Sequence, residues 1–310
     1  MSRSDGQAPT KAARPEQQGF IAALAAYLIW GVSPIFFHSL GALSPFEVVA
    51  HRVVWSLVTI TVVMVATGRM GQALAILRNP RQVLIFAGSA LAITINWVVF
   101  VHAATTGHGL DASLGYYVFP LLTVVLAAVV LKERFSRRQG LALAIVVAGV
   151  MIMIIGRGNL PWITLVLAFS FGAYGLLRKI APAESLVGLF VETLLLAPLA
   201  LAYLVYQHFA GQGLTHMESS GFLWAMLVIG TPLWTGLPLF LFAFGARRLR
   251  LSTVGLMQYI NPTCQFIIAT LVFNETFTPL HAVVFSVIWL GIIVYAAPRR
   301  RPRTPLPDNT

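Results

Sequence analysis

The stretch ASLGYYVFPLLTVVLAAVVLKERF, Ala112 to Phe135, decides the fold because the chain writes it twice. Displaced by 142 positions, VGLMQYINPTCQFIIATLVFNETF follows at Val254 to Phe277, so that Tyr117, Pro120, Glu133 and Phe135 fall on Tyr259, Pro262, Glu275 and Phe277. Seven of the 24 aligned pairs are identical. Apolar composition alone gives roughly two or three, so the excess points to an internal duplication. Each copy is an apolar run of about 20 residues with a proline in its first half and an acid at its end. As a helix, such a run spans ~30 Å, the hydrocarbon thickness of a bilayer. Paired membrane segments broken at matching places are the signature of a transporter that alternates about a central site.

The rest of the chain has the same character. Of its 310 residues 58% are hydrophobic and 10% charged, with a mean hydropathy of +0.81. A soluble domain carries about 25% charged residues, so an integral membrane protein is expected. The 17 prolines and 25 glycines lie largely inside apolar runs, where membrane helices tolerate them because neighbours re-satisfy the freed backbone groups. A single cysteine, Cys264, excludes an intrachain disulfide and a metal cluster built on cysteine. The net charge of +11 does not point to nucleic acid, because the charges sit between the runs and not on one face. No cofactor is called for. His51, His102 and His108 lack metal-ligand spacing with carboxylates, and no Walker-type loop, HExxH or GxSxG is present, so the chain reads as no enzyme.

Ten apolar runs emerge, at 20–40, 46–66, 82–103, 112–131, 139–155, 161–178, 184–206, 221–245, 253–273 and 279–297. The expected fold is an all-α integral membrane protein of ten transmembrane helices. They divide into a first five-helix repeat (20–155) and a second (161–297), between a disordered tail (1–19) and a basic tail (298–310). Of the 21 lysines and arginines, 19 fall on one side of the runs; Arg157 lies on the other and Arg52 inside a span. The positive-inside rule then puts both termini in the cytoplasm. Five helices per half is an odd number, so the second half enters the membrane inverted, related to the first by a pseudo-two-fold axis in the membrane plane. Pro120 and Pro262 fall in opposite leaflets and are expected to act as hinges or gates.

Polar groups inside spans are costly and usually line a cavity or pair with one another. In FEVVAHRVVWS, His51 and Arg52 lie about a turn below Glu47; Arg52 can offer a fixed charge to a solute carboxylate, snorkel outward or pair with Glu47. Glu192 in GLFVETLLL is too deep and too short to snorkel, and is expected to be a protonated structural group or a solute or proton site. Arg52 and Glu192 are expected to face one central chamber. Asn96 and Trp97, Tyr117, Gln258, Tyr259 and Asn261 can complete an amphipathic cradle, or simply hydrogen-bond helices together.

The segments YLIWGVSPIFF, FEVVAHRVVWS, INWVVFVHA, GHGLDASLGYY, LKERF, LAFSFGAYGLLRK, GLFVETLLLAPLA and RLRLSTVGLMQYINPTCQF, in this order over residues 20 to 297, resemble the EamA family of the drug/metabolite transporter superfamily. The resemblance implies ten helices in two inverted halves, a bacterial inner-membrane location, and a permease that exports small metabolites or drugs, chloramphenicol and amino-acid-like solutes among them. Carried over by position, it favours His51, Arg52, Asn96, Trp97, Glu192, Gln258, Tyr259 and Pro262. The chain departs from the family pattern at Phe100 and His102, and at Thr276 after Glu275. The expected partners are a small solute, protons where transport is coupled, and the lipid bilayer. An uncoupled facilitator and a non-transporting membrane scaffold or sensor are the competing readings.

Overall fold

The computed structural model describes residues 13–132, 136–217 and 221–297, and every regular element among them is helical. The basic tail 298–310, residues 1–12, and Glu133 and Phe135 of the repeated motif lie outside the described residues. Among the described residues nine segments are long and apolar enough to cross a bilayer.

Helix α1 (Ala13–His38) starts inside the stretch read as a disordered tail. Low hydropathy there marks a lack of membrane depth and says nothing against helix. Alanine, glutamine and Glu16 in the first turn favour helix and suit its dipole. Helix α2 (Pro45–Ala66) is started by Ser44, whose hydroxyl accepts the Glu47 N–H at 3.1 Å, with proline at the first helical position. A short α3 (Met70–Leu77) crosses the following link, and Asn79 caps α4 (Pro80–Thr105). Then come α5 (Gly109–Leu131), α6 (Arg137–Arg157), α7 (Trp162–Ile180) and α8 (Ser185–Phe209). The next span, 221–246, is α9 (Gly221–Ala225) and α10 (Thr231–Ala246) joined by one π-helical turn. Helix α13 (Pro279–Ala296) closes the described chain with a capping box between Thr278 and His281.

The run read as a tenth span, 253–273, is not a continuous helix. It is α11 (Leu251–Met257), a turn at Gln258 and Tyr259, α12 (Ile260–Ile267) and a π-helical stretch (Ile268–Val272). Pro262 has no N–H to donate and its ring crowds the carbonyl four residues back, at Gln258, where the helix gives way.

Links 39–44, 106–108, 158–161, 210–217 and 273–278 gather at one end, where Glu47 meets Leu214, Arg157 meets Asp111 and Glu275 meets Gly109. The other end carries nearly all the arginine and lysine of the described residues, and there Arg69 pairs with Glu184 at 2.7 Å.

The helix pairs follow a pattern. Helix α5 packs on α7 and α1 on α12; α4 packs on α7 and α1 on α10; α2 touches α10 and α8 touches α4. Moving each span five places along the chain turns the first member of every such couple into the second. Three further pairs, α2 with α8, α5 with α12 and α6 with α13, map onto themselves, while the α2–α4 and α1–α4 contacts have no counterpart of similar extent among the described residues. The α6–α13 contact shows it atom by atom. A Cβ on Gly149 would lie 3.1 Å from Ile288, 3.3 Å from Val287 and 3.7 Å from the Val284 carbonyl. On Gly291 it would lie 2.7 Å from Val146, 3.4 Å from Ile145 and 3.1 Å from the Ala142 carbonyl, the same three partners displaced by 142. Along α6, position 146 meets 291 and position 149 meets 288, so α13 numbers fall as α6 numbers rise and the two helices run antiparallel. Tyr117 and its repeat mate Tyr259 stack on each other, centroids 6.3 Å apart and planes 17° off parallel.

Candidate substrate site

Arg52 sits in the second turn of α2 and is only 7% exposed. Its Nε–H donates to Thr235 Oγ1 on α10 at 2.9 Å. That hydroxyl is oriented by its own donation to the Thr231 carbonyl at 2.7 Å. The guanidinium carbon lies 3.9 Å from the Trp97 ring centroid and 5.4 Å from that of Phe37. A desolvated cation over tryptophan gains about 2 kcal/mol. Glu47 does not pair with it, because that carboxylate accepts the Leu214 N–H at 2.6 Å instead. Among the described residues Arg52 has no ion-pair partner, and its terminal nitrogens are free to take an anionic group.

Beside it, α4 presents Asn96, whose Nδ2 donates to the Leu167 carbonyl at 3.2 Å and to Ser170 at 3.1 Å. Tyr116 on α5 donates to Asn96 Oδ1 at 2.8 Å. This amide ties α4, α5 and α7 together and positions the tyrosine. Phe100, at the departure from the family pattern, packs edge-on to Phe37 and Tyr116, with centroids 5.8 Å away in each case. The aromatic wall is therefore kept. His51 accepts the Trp55 indole N–H at 3.3 Å and meets Trp224 edge-on.

Glu192, 1% exposed on α8, belongs to a different cluster. Ser89 donates to its Oε1, and the Arg178 guanidinium lies 3.7 Å from the same oxygen. Its Oε2 has no hydrogen-bond partner among the described residues. Arg178 can fold back onto α8 only because residue 188 is glycine: a Cβ there would overlap the guanidinium. Arg52 and Glu192, expected to face one chamber, thus take separate partners. Their α4 contacts, Trp97 and Ser89, are eight residues apart, about 12 Å along the axis.

Tyr117, Tyr259, Gln258 and Asn261 form a third group at the break between α11 and α12. Tyr117 shares a hydrogen bond with Thr263 at 2.7 Å, and Asn261 accepts from Gln265 at 2.9 Å. The Tyr259 hydroxyl is buried without a partner among the described residues. Ser113 donates to the Pro262 carbonyl at 2.9 Å, while Pro120 lies within the unbroken α5. Sequence reading missed Thr235, Ser89 and Arg178. Only Arg178 carried a signal: it lies just before the end of α7, close enough to turn inward.

The chain is 38% identical over 286 residues to an uncharacterized transporter of Vibrio cholerae, covering 91% of this chain and 94% of that protein. It is 37% identical over 283 residues to Protein RarD of Escherichia coli, covering 91% and 95%. Residues 17–155 match the EamA-like transporter family. The chain belongs to the EamA family. A further EamA-type relative, named chloramphenicol-sensitive protein RarD in Pseudomonas aeruginosa, is 31% identical, covering 89% of this chain and 93% of that protein. A solved crystal structure with 18% identity shares the fold at a TM-score of 0.53, over 89% of this chain and 95% of that one. The protein is a multi-pass bacterial membrane transporter.

Proposed function

We propose that this EamA-family protein is a secondary carrier that exports a small solute bearing an anionic group, of amino-acid-like or aromatic carboxylate type. It works by alternating access of two inverted five-helix halves. The reading takes the broken segment 251–272 as the tenth span and places the arginine-rich end and both chain ends in the cytoplasm, as the positive-inside rule requires. The reciprocal Gly149 and Gly291 contacts support the inverted pairing: an antiparallel pair whose contacts exchange under one displacement has its two-fold axis across the helices.

The observation that carries the function is Arg52, a buried cation braced by Thr235 and Trp97, with no carboxylate of the chain within ion-pairing distance among the described residues. A buried charge kept without a counter-ion is costly, so a solute that supplies one gains affinity. Trp97, Phe37 and Tyr116 give the solute's apolar part an aromatic surface. His51, Asn96, Tyr117, Gln258, Tyr259 and Asn261 position that lining or take part as the halves move, and Pro262 supplies a hinge. Glu192 is the proton site if transport is coupled. Its pairing with Arg178 favours a second reading, an uncoupled facilitator, because an acid held by an arginine has little reason to exchange protons.

Efflux from proteoliposomes loaded with pooled metabolites and chloramphenicol, with and without a pH gradient, tests the function. Accelerated efflux of a carboxylate-bearing solute is expected, and no accelerated efflux of any solute overturns the carrier reading. Glu192→Gln decides between the two forms: a coupled carrier loses its response to the gradient, and a facilitator never had one.

A further inference from the structure

At the arginine-poor end, the link 273–278 of the second half reaches across to the first helix turn of α5 in the first half. The Glu275 carboxylate accepts the Gly109 N–H at 2.6 Å with one oxygen and the Leu110 N–H at 2.9 Å with the other. The arrangement is built for closeness. A Cβ on Gly109 would lie 2.8 Å from that carboxylate and 3.0 Å from Ala269, so only glycine fits. Asn274 takes a left-handed conformation, φ 52°, to aim its neighbour, and the Glu275 N–H is anchored on the Ala269 carbonyl at 2.9 Å.

Glu275 also walls a hollow of about 380 Å³ with Asp111, Arg157, Thr276 and His281. Arg157 is bound to Asp111 through both carboxylate oxygens, at 2.8 and 3.0 Å. His281 is 6% exposed; its Nδ1 accepts the Thr278 N–H at 3.2 Å, which leaves the proton on Nε2, and Nε2 has no partner among the described residues. A long helix's free N–H groups and a buried, unused imidazole N–H facing one hollow are the parts of an anion site. Glu275 occupies it with a carboxylate of the chain's own. Burial pushes that carboxyl above the usual carboxylate range, against the two amide bonds that favour the anion.

We propose that the N-terminus of α5 with His281 is an exit subsite for the anionic group of the departing solute, and that Glu275 latches the outer gate by occupying it. When the latch lets go, the solute's anionic group takes the vacated amides on its way out. This rests on the carrier reading above, but its test needs no transported solute, so either can fail alone.

The test uses the full chain in cells with Cys264→Ser and Ser113→Cys. Ser113 is fully buried, one turn below the latch, and a membrane-impermeant maleimide added outside reports whether the gate is open. Glu275→Ala is expected to raise the labelling rate about a hundredfold or more, the loss of two hydrogen bonds to a charged group. External acetate, the probe for the subsite, is expected to bring the Glu275→Ala rate back down, and acetamide to leave it raised. Gly109→Ala, which alters no charge, is expected to raise labelling too. Unchanged labelling in both variants overturns the latch. Equal effects of acetate and acetamide overturn the anion subsite.

Discussion

Helix α5 and its repeat mate, residues 251–272, carry the same proline at the same place, yet one is a continuous helix and the other is in pieces. Each proline removes one N–H and crowds the carbonyl four residues earlier, at Tyr116 or Gln258. In α5 that residue is pinned: Tyr116 bonds Asn96 and is ringed by Phe100, Phe119 and Phe171. Gln258 has no such clamp, and Gly255 precedes it in α11. Sequence duplicates the weak point, and packing decides which copy yields. A second contrast lies on the exchanged pair α2 and α8. Arg52 and Glu192 are each the eighth residue of their helix, and the two carry opposite charges. Glu192 has a counter-ion, Arg178, and Arg52 has none among the described residues.

The charge contrast gives the largest expected effects. Glu192→Gln strands the half-buried Arg178 and is expected to cost about 3 kcal/mol, seen as a lowered Tm in detergent, with Arg178→Gln added to it recovering most of the loss. Arg52→Gln strands no charged partner, so its Tm is expected to fall by less, through loss of the Thr235 hydrogen bond and the ~2 kcal/mol of the ring contacts, while solute efflux is lost. If Arg52→Gln proves the more destabilising of the two, the contrast between a structural ion pair and an open cation fails. The proline contrast comes next. Pro262→Ala lets 251–272 close into one helix and is expected to slow efflux about tenfold, whereas Pro120→Ala, in a helix already continuous, changes it less than about twofold. Equal effects would mean the break plays no part in the cycle. The smallest effect tests the symmetry. Gly149→Val and Gly291→Val overpack mirrored contacts and are each expected to cost about 1–3 kcal/mol by Tm, with Gly291→Val, where the added Cβ comes closer, the costlier. A cost at one position and none at the other would break the pseudo-two-fold.

Nearly all the helices were legible because their hydropathy and their start signals agree, as at Ser44-Pro45, Asn79-Pro80 and Thr278-Pro279. The broken run was not, because its apolar pattern is that of α5 and only the missing clamp on Gln258 distinguishes it. Of the candidate site, the sequence named the polar residues inside spans and left open how they group. Arg52, Trp97 and Asn96 do gather, but Glu192 is drawn away by Ser89 and Arg178, contacts between residues 103 positions apart or across two helices that no local pattern announces. Arg178 was read as one of the charges that fix orientation, since a residue at a helix end can point either way and its long side chain chose inward.

The central claim is that Arg52 holds the anionic group of an exported solute. The direct measurement is efflux from proteoliposomes of matched pairs, an aromatic or amino-acid-like carboxylate and its uncharged amide, by the unaltered chain and by Arg52→Gln. The account predicts that the unaltered chain moves the acid at least ~10-fold faster than the amide, the discrimination of a site that buries a charge pair, and that Arg52→Gln removes the preference. Acid and amide moving at equal rates, or an acid preference that survives Arg52→Gln, would contradict it.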